Sequence, residues 1–175
     1  MFSTDERIPR EKLVEMLKTE KKLFGIDFSD IDIHSFDLSE KIFIGCRFSR
    51  SIFTNTVLDR SKIRMCFFDF AHFSNCSFVH LDMQFSCFSG VHINDSTFEN
   101  SDLLHNNFNG LLSGNTIFND SDLYNSRFIM ATLKDTSFEN CNVQKTMFIQ
   151  TIRERVSFKY SNTREAIFGK GENPE

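Results

Sequence analysis

A five-residue period runs from Leu23 to Phe168 without an insertion, and no other feature of the chain constrains its fold as much. Thirty positions lie on this register, and all are apolar except Ser113, Arg153 and Thr163. Sixteen of the 22 Phe residues fall on it. A second register, two residues earlier, runs from Cys46 to Ala166, and 20 of its 25 positions are Ala, Ser, Thr or Cys. Such a period fits neither a helix nor a strand. A large residue and a small one two apart both point inward only if the chain turns a corner every five residues. Four such sides make a square coil of 20 residues, and the columns agree: every twentieth residue from Phe28 to Phe168 is Phe. The column ten residues away starts with Leu38 and Leu58 and is Phe from Phe78 to Phe158. The other two favour Leu, Ile, Met and Val, with Phe only at Phe43, Phe53 and Phe73. A fixed internal period of this kind sets the architecture before any single element is read. The reading is all-β, a four-sided parallel solenoid of about seven coils, each about 4.8 Å high.

Gly25, Gly45, Gly90 and Gly110 share the position two after the core residue with Asn55, Asn75, Asn100, Asn115, Asn125 and Asn140. Both residue types tolerate the positive φ of a tight turn. Ahead of the repeat, Pro9 to Lys22 reads as a short helix with Pro9 in its first position and Leu13 and Leu17 on one face. A solenoid has an open end that needs a cap, and this helix is the candidate. The division is therefore an N-terminal tail and capping helix over residues 1–22, the solenoid over 23–170, and a C-terminal tail over 171–175. The tail offers no second helix, which suggests end-to-end dimerisation or a longer parent chain.

Units such as Ser101-Asp102-Leu103-Leu104-His105, Ser121-Asp122-Leu123-Tyr124-Asn125 and Ser96-Thr97-Phe98-Glu99-Asn100 resemble the pentapeptide-repeat family. The resemblance implies a right-handed quadrilateral parallel β-helix. Phe36 and Lys41 stand in the small register and Arg153 in the large one, so the first coil and the coil around Arg153 are expected to be irregular. Leu111 with Ser113 reads as a size swap between the two inward slots. The family's Qnr-like members act on DNA gyrase by imitating duplex DNA and confer fluoroquinolone resistance, so the resemblance implies a bacterial protein whose partner is another protein.

The chemistry visible in the sequence is sparse. No Gly-rich phosphate loop, nucleophile elbow or paired-Cys metal motif is present. His72 and His92 stack one coil apart near Asp95 without a third ligand dictated by the spacing. Cys46 and Cys66 are stacked neighbours for which a disulfide is geometrically conceivable, and Cys87 is an outward thiol with no base beside it in sequence. The reading is no enzyme, no cofactor and no metal. Residues 1–12 contain no apolar signal core and no apolar run is long enough to span a membrane. The cysteines are read as reduced thiols, which fits the cytoplasm; secretion as an effector belongs to the alternative below.

Charge is banded along the coils. Residues 41–65 carry Lys41, Arg47, Arg50, Arg60, Lys62 and Arg64 against Asp59, and 143–170 is again basic. Residues 82–140 carry eight acids against Arg127 and Lys134. Within that band Asp82, Asp102 and Asp122 fall in one column and Glu99, Asp120 and Glu139 flank the same corner, which makes an acidic partner ridge the first candidate site. Like charges at about 5 Å repel by roughly 0.8 kcal/mol per pair even in water, before screening. The second candidate is an apolar interface of Phe67, Phe70, Phe85, Ile129, Met130, Met147 and Ile149, projecting outward on one side as a contiguous patch. The expected function is non-enzymatic protein binding, most specifically DNA-mimicking modulation of gyrase without direct nucleic-acid or membrane contact. A scaffold or secreted effector docking through the apolar side is the alternative, and the same side is a candidate homodimer face.

Overall fold

The computed structural model describes residues 8–169. The tail assigned to 171–175, and residues 1–7 of the N-terminal tail, lie outside the described residues. Every fifth residue from Gly25 to Glu165 has φ between 48° and 67°, in the left-handed region. These are the corners. Only four of them are Gly; six are Asn, four Asp, and the rest include Arg50, Met65, Phe70, Phe85, Met130 and Tyr160. A non-Gly residue costs about 1 kcal/mol or more in this conformation, so the inward packing must hold these corners closed.

Between corners lie short straight sides, here named by their first core residue. On the Leu23 side, Lys22–Phe24, Ile42–Ile44, Lys62–Arg64 and Asp82–Gln84 pair in parallel as a four-stranded sheet. On the Ile33 side a seven-stranded sheet climbs from Asp32–His34 to Ile152–Glu154. Three of its strands, His92–Thr97, Leu112–Ile117 and Thr132–Ser137, run on round the corner onto the Leu38 side. The Phe28 and Leu38 sides are stitched mainly by single bridges such as Arg47 to Phe67 and Val57 to Ser77. Every pairing is between residues 20 apart, the register read from the sequence.

The inward side chains form two ladders of rings. Phe28 to Phe168 follow one another with centroids 4.4–5.3 Å apart, stacked at every step but Phe88–Phe108, which is tilted by 42°. Phe78 to Phe158 stack at 4.2–5.0 Å. Across the interior the ladders meet edge to face, as at Phe118–Phe128 (6.0 Å, 89°) and Phe128–Phe138 (5.5 Å, 87°), an arrangement favoured by the ring quadrupoles.

The small register has a polar task beyond its size. Ser101 Oγ donates to Phe78 O (2.8 Å) and accepts from Leu81 N (2.9 Å), bridging the corner of the coil beneath. Ser51, Ser61, Ser121 and Ser126 donate likewise to the core residue's carbonyl one coil down, at 2.7–2.9 Å. Asn106 repeats both bonds with its amide, to Met83 O and from Ser86 N. Where the two inward slots exchange sizes, Leu111 is fully buried and Ser113 bonds Thr136 hydroxyl to hydroxyl (2.5 Å).

The helix α1 spans Arg10–Thr19, shorter than expected at both ends. Pro9 is its N-cap rather than its first residue, and Glu20 is already extended because Lys22 enters the first strand beside Ile42. Leu13 and Leu17 are buried in the same core as the coils. The expected irregularities are absent. Lys41 is buried, with its ammonium donating to Glu20 O (2.6 Å), so it ties the helix end to the solenoid, and burial lowers its pKa. Phe36 packs against the core with the Lys18 ammonium over its ring. Arg153 lies in a regular strand with its guanidinium 5.0 Å from the Phe168 centroid.

Phe108 is fully buried between Phe88 and Phe128. Phe108→Ala should cost about 3–5 kcal/mol through the cavity it leaves. Ser101→Ala should cost about 1 kcal/mol, because it removes the bridging hydroxyl and leaves Leu81 N and Phe78 O only their 3.3 Å bond to each other. Asp102→Asn, outward on the same coil, should cost nothing measurable. Urea denaturation of the three variants gives the order; equal losses would mean that inward and outward positions have been confused.

Candidate protein-docking surfaces

Outward positions carry the candidate chemistry, and parallel stacking turns each into a column. Asp82, Asp102 and Asp122 are consecutive bridge partners, followed by Asn142. Asp120 sits on the adjoining corner, and with Asp102 and Asp122 it lines a shallow depression shared with His80, Asn100 and Asn142. The six acids of the expected ridge do not present equal charge. Asp82 is neutralised by Arg64 (2.5 Å) and Lys62 (3.6 Å). Glu99 accepts from Thr97 Oγ1 (2.9 Å) and Glu139 from Ser157 Oγ (2.6 Å), both on the Leu38 side of the corner. Asp122 accepts from Tyr124 N and from Asn142 Nδ2. Asp102 and Asp120 have no side-chain hydrogen bond or ion pair among the described residues. Of the six only Asp82 meets a cation among the described residues, and Asp102, Asp120 and Asp122 are the three that share the depression.

The seven apolar residues share one side but form two clusters, not a contiguous patch. Phe67 and Phe70 lie in one coil, with the Phe70 ring so close over Gly90 that a Cβ there would meet it at 2.7 Å. Arg47 stacks on Phe67 (5.7 Å). Ile129, Met130, Met147 and Ile149 lie further up the rod. Between the clusters runs a polar belt in which Cys87 Sγ donates to Asp69 (3.0 Å) and Asn109 accepts from Ile129 N. Phe85 stands on the opposite corner of that side, its ring flat against His105 (5.0 Å, 2°). Phe70, Met130 and Phe85 are 62%, 65% and 59% exposed. All three are left-handed corner residues, so neither backbone conformation nor hydration favours them there. Sequence reasoning did not single out Phe24 and Met65, equally exposed at 57% and 55% on the Leu23 side and its corner. Met65 could have been found by asking which corner positions hold residues unsuited to positive φ.

The remaining candidates are quiet. The His72 and His92 rings stand 4.4 Å apart, and burial together with His72 lowers the His92 pKa. No group of three metal-binding side chains occurs among the described residues. All five cysteines are free thiols. Cys66 is raised by its hydrogen bond with Cys46 and by burial, and burial pushes Cys141 up to about 12. No described helix is long and apolar enough to cross a membrane.

Geometry defines the class first: a four-sided parallel β-solenoid with one short helix packed on its first coils. A family profile described as a pentapeptide repeat region matches residues 91–168, and the same register continues down to Leu23. Residues 91–168 are thus similar to a pentapeptide repeat region, and the lower coils keep the same period. A trypsin-treated form of QnrB1, a plasmid-mediated fluoroquinolone resistance protein, is similar in structure: 15% identity over 84% of this chain and 88% of that one, with a TM-score of 0.54. HetL, a pentapeptide-repeat protein from the cyanobacterium Nostoc sp. strain PCC 7120, shows 9% identity over 90% and 93%, with a TM-score of 0.36. Rfr23 from Cyanothece 51142 shows 11% identity over 91% and 99%, with a TM-score of 0.27. At these identities the likeness concerns the fold. No curated protein matches the chain.

Cys87 gives a pH-dependent prediction. Burial, then its hydrogen bond to Asp69, raises its pKa to about 11, so little thiolate exists at pH 8. Iodoacetamide should label it far more slowly than a free cysteine at that pH, and Asp69→Asn should speed labelling by lowering the pKa. Rapid labelling of the parent protein at pH 8 would contradict this environment.

Proposed function

We propose that this solenoid is a protein-binding element, not an enzyme, and that it offers Asp102, Asp120 and Asp122 to a basic groove on its partner. DNA gyrase is the specific candidate, which would place the protein in the cytoplasm. The observation that carries the reading is the uncompensated carboxylate edge: Asp102 and Asp120 have no counter-charge, and Asp122 stacks directly above Asp102. Duplex DNA carries about one charge per 1.7 Å of axis. Three carboxylates over about two coils of 4.8 Å give roughly half that density, enough for electrostatic steering that fades with salt. The structural likeness to a fluoroquinolone resistance protein supports gyrase as the first partner to try.

The triple variant Asp102→Asn, Asp120→Asn, Asp122→Asn removes three charges and leaves corners and core intact. Its thermal stability should hold or rise, while its effect on gyrase supercoiling and quinolone-stabilised cleavage should fall well below the parent's. A triple variant acting as the parent does, or a parent with no effect at low salt, would rule the reading out.

A second reading rests on the bulky corner residues: Phe70 and Met130 mark a docking side for a scaffold partner, a host protein if the chain is exported, or a homodimer. Phe70→Glu with Met130→Glu should keep the fold and abolish partner capture or lower the mass seen by light scattering. A folded double variant with unchanged assembly and capture would exclude that side.

A further inference from the structure

Within the first six coils of the Leu23 side, several outward positions become complementary when the order of the coils is reversed. Its outward columns run on through Asn142 and Asn162; the first six coils run from Lys22 to Asp122 in one column and from Phe24 to Tyr124 in the next. Reversing the order of the coils sets Lys22 opposite Asp122 and Lys62 opposite Asp82. In the neighbouring column it sets Phe24 opposite Tyr124 and Ile44 opposite Leu104. On the flanking corner it sets Met65 opposite Phe85. Basic meets acidic or apolar meets apolar at these five positions; Ile42 meets Asp102, Arg64 meets Gln84, and Gly25 and Gly45 meet Asn125 and His105.

Reversal of this kind is the operation of a twofold axis lying in the plane of a face and crossing the rod. An isologous interface needs that self-complementarity. We propose that a second copy of this chain docks on the Leu23 side, face to face and antiparallel, about an axis passing between the coils of Lys62 and Asp82.

Several features of this side favour that occupant. Lys22 is exposed without an ion pair among the described residues, and Phe24, Met65 and Phe85 are all more than half exposed. Met65 and Phe85 hold left-handed corners (φ 51° and 55°) that suit neither side chain. Lys62 already lies 3.6 Å from Asp82 within the chain. At the axis two such pairs would cross, each together with the Arg64 that also lies on Asp82 (2.5 Å). The strip is about 29 Å long and about 13 Å wide by strand dimensions, so it covers on the order of 400 Å² per copy, below the roughly 800 Å² of a standard interface. The dimer is therefore weak, concentration-dependent and sensitive to salt. The inference does not depend on the proposed partner, although a dimer would cover Asp102 and Asp122 and so compete with binding there.

The test uses the full chain alone, by sedimentation equilibrium at low salt with protein rising from micromolar to millimolar. The parent should self-associate. Lys22→Asp and Asp122→Lys each convert two symmetry-related attractions into two repulsions, and each should weaken self-association about tenfold or more. An equimolar mixture of the two variants should recover it, because each mixed pair faces opposite charges at both sites. Phe24→Glu, outside the charge pairs, should weaken it as well, with circular dichroism confirming that every variant is folded. A parent that stays monomeric, single variants that associate as the parent does, or a mixture that fails to recover would each overturn the proposal.

Discussion

A residue in the left-handed region at every fifth position is the constraint on which the rest of this structure depends. It closes a coil in four equal sides, and equal sides put each residue directly above the one 20 positions earlier. Parallel pairing then turns sequence periodicity into physical columns. Inward columns become ring ladders and hydroxyl ladders, while outward columns become stripes of charge or apolar surface. A corner opened by one residue would shift every later side chain to a different face, as a register slip does in any sheet. The cost of 25 non-Gly corners is borne collectively by a core in which the Phe rings are almost entirely removed from water.

The corners also need polar closure, because a tight turn leaves backbone groups facing inward where water is absent. Ser, Thr and Cys in the small register meet that need by reaching one coil down to the core residue's carbonyl, as do Thr146, Thr151 and Cys141. Outside, the corner side chains bond to their counterparts 20 residues away: Asn75 to Asn55 at 2.6 Å, Asn115 to Asp95 at 2.8 Å, and Arg50 to Asp30 through both nitrogens. Exposed pairs like the last contribute little individually. Their position over the strained corners matters more than their number.

The fold was legible because period, residue size and column identity agree at every coil. Less legible was whatever depends on contacts between coils. The size of Ser101 could be read, but its bond to Phe78 O could not, because the partner lies 23 residues away. Lys41 read as a fault in the repeat and proved to anchor the helix, since only the folded chain brings Glu20 O to its ammonium. The acidic ridge was legible as a column, yet its neutralisation at Asp82 rests on Arg64, which pairing brings in from the coil below. The apolar side was legible as a side and misread as one patch, because the belt at Asp69, Cys87 and Asn109 interrupts it. Gly and Asn marked only ten of the 29 corners; the others hold residues whose turn role follows from position alone.

Which outward columns stay uncompensated on such a rod rests on the corners holding their register. A glycine scan through the single coil 121–140, read as unfolding free energy, examines this directly. Glycine should be neutral or stabilising only at Asn125, Met130, Asp135 and Asn140, with the largest gain, about 1 kcal/mol, at Met130 where φ is 58°. Every other position should lose stability, most at Leu123, Phe128, Leu133 and Phe138, which are fully buried. A flat profile, or tolerant positions spaced by anything other than five, would contradict the account.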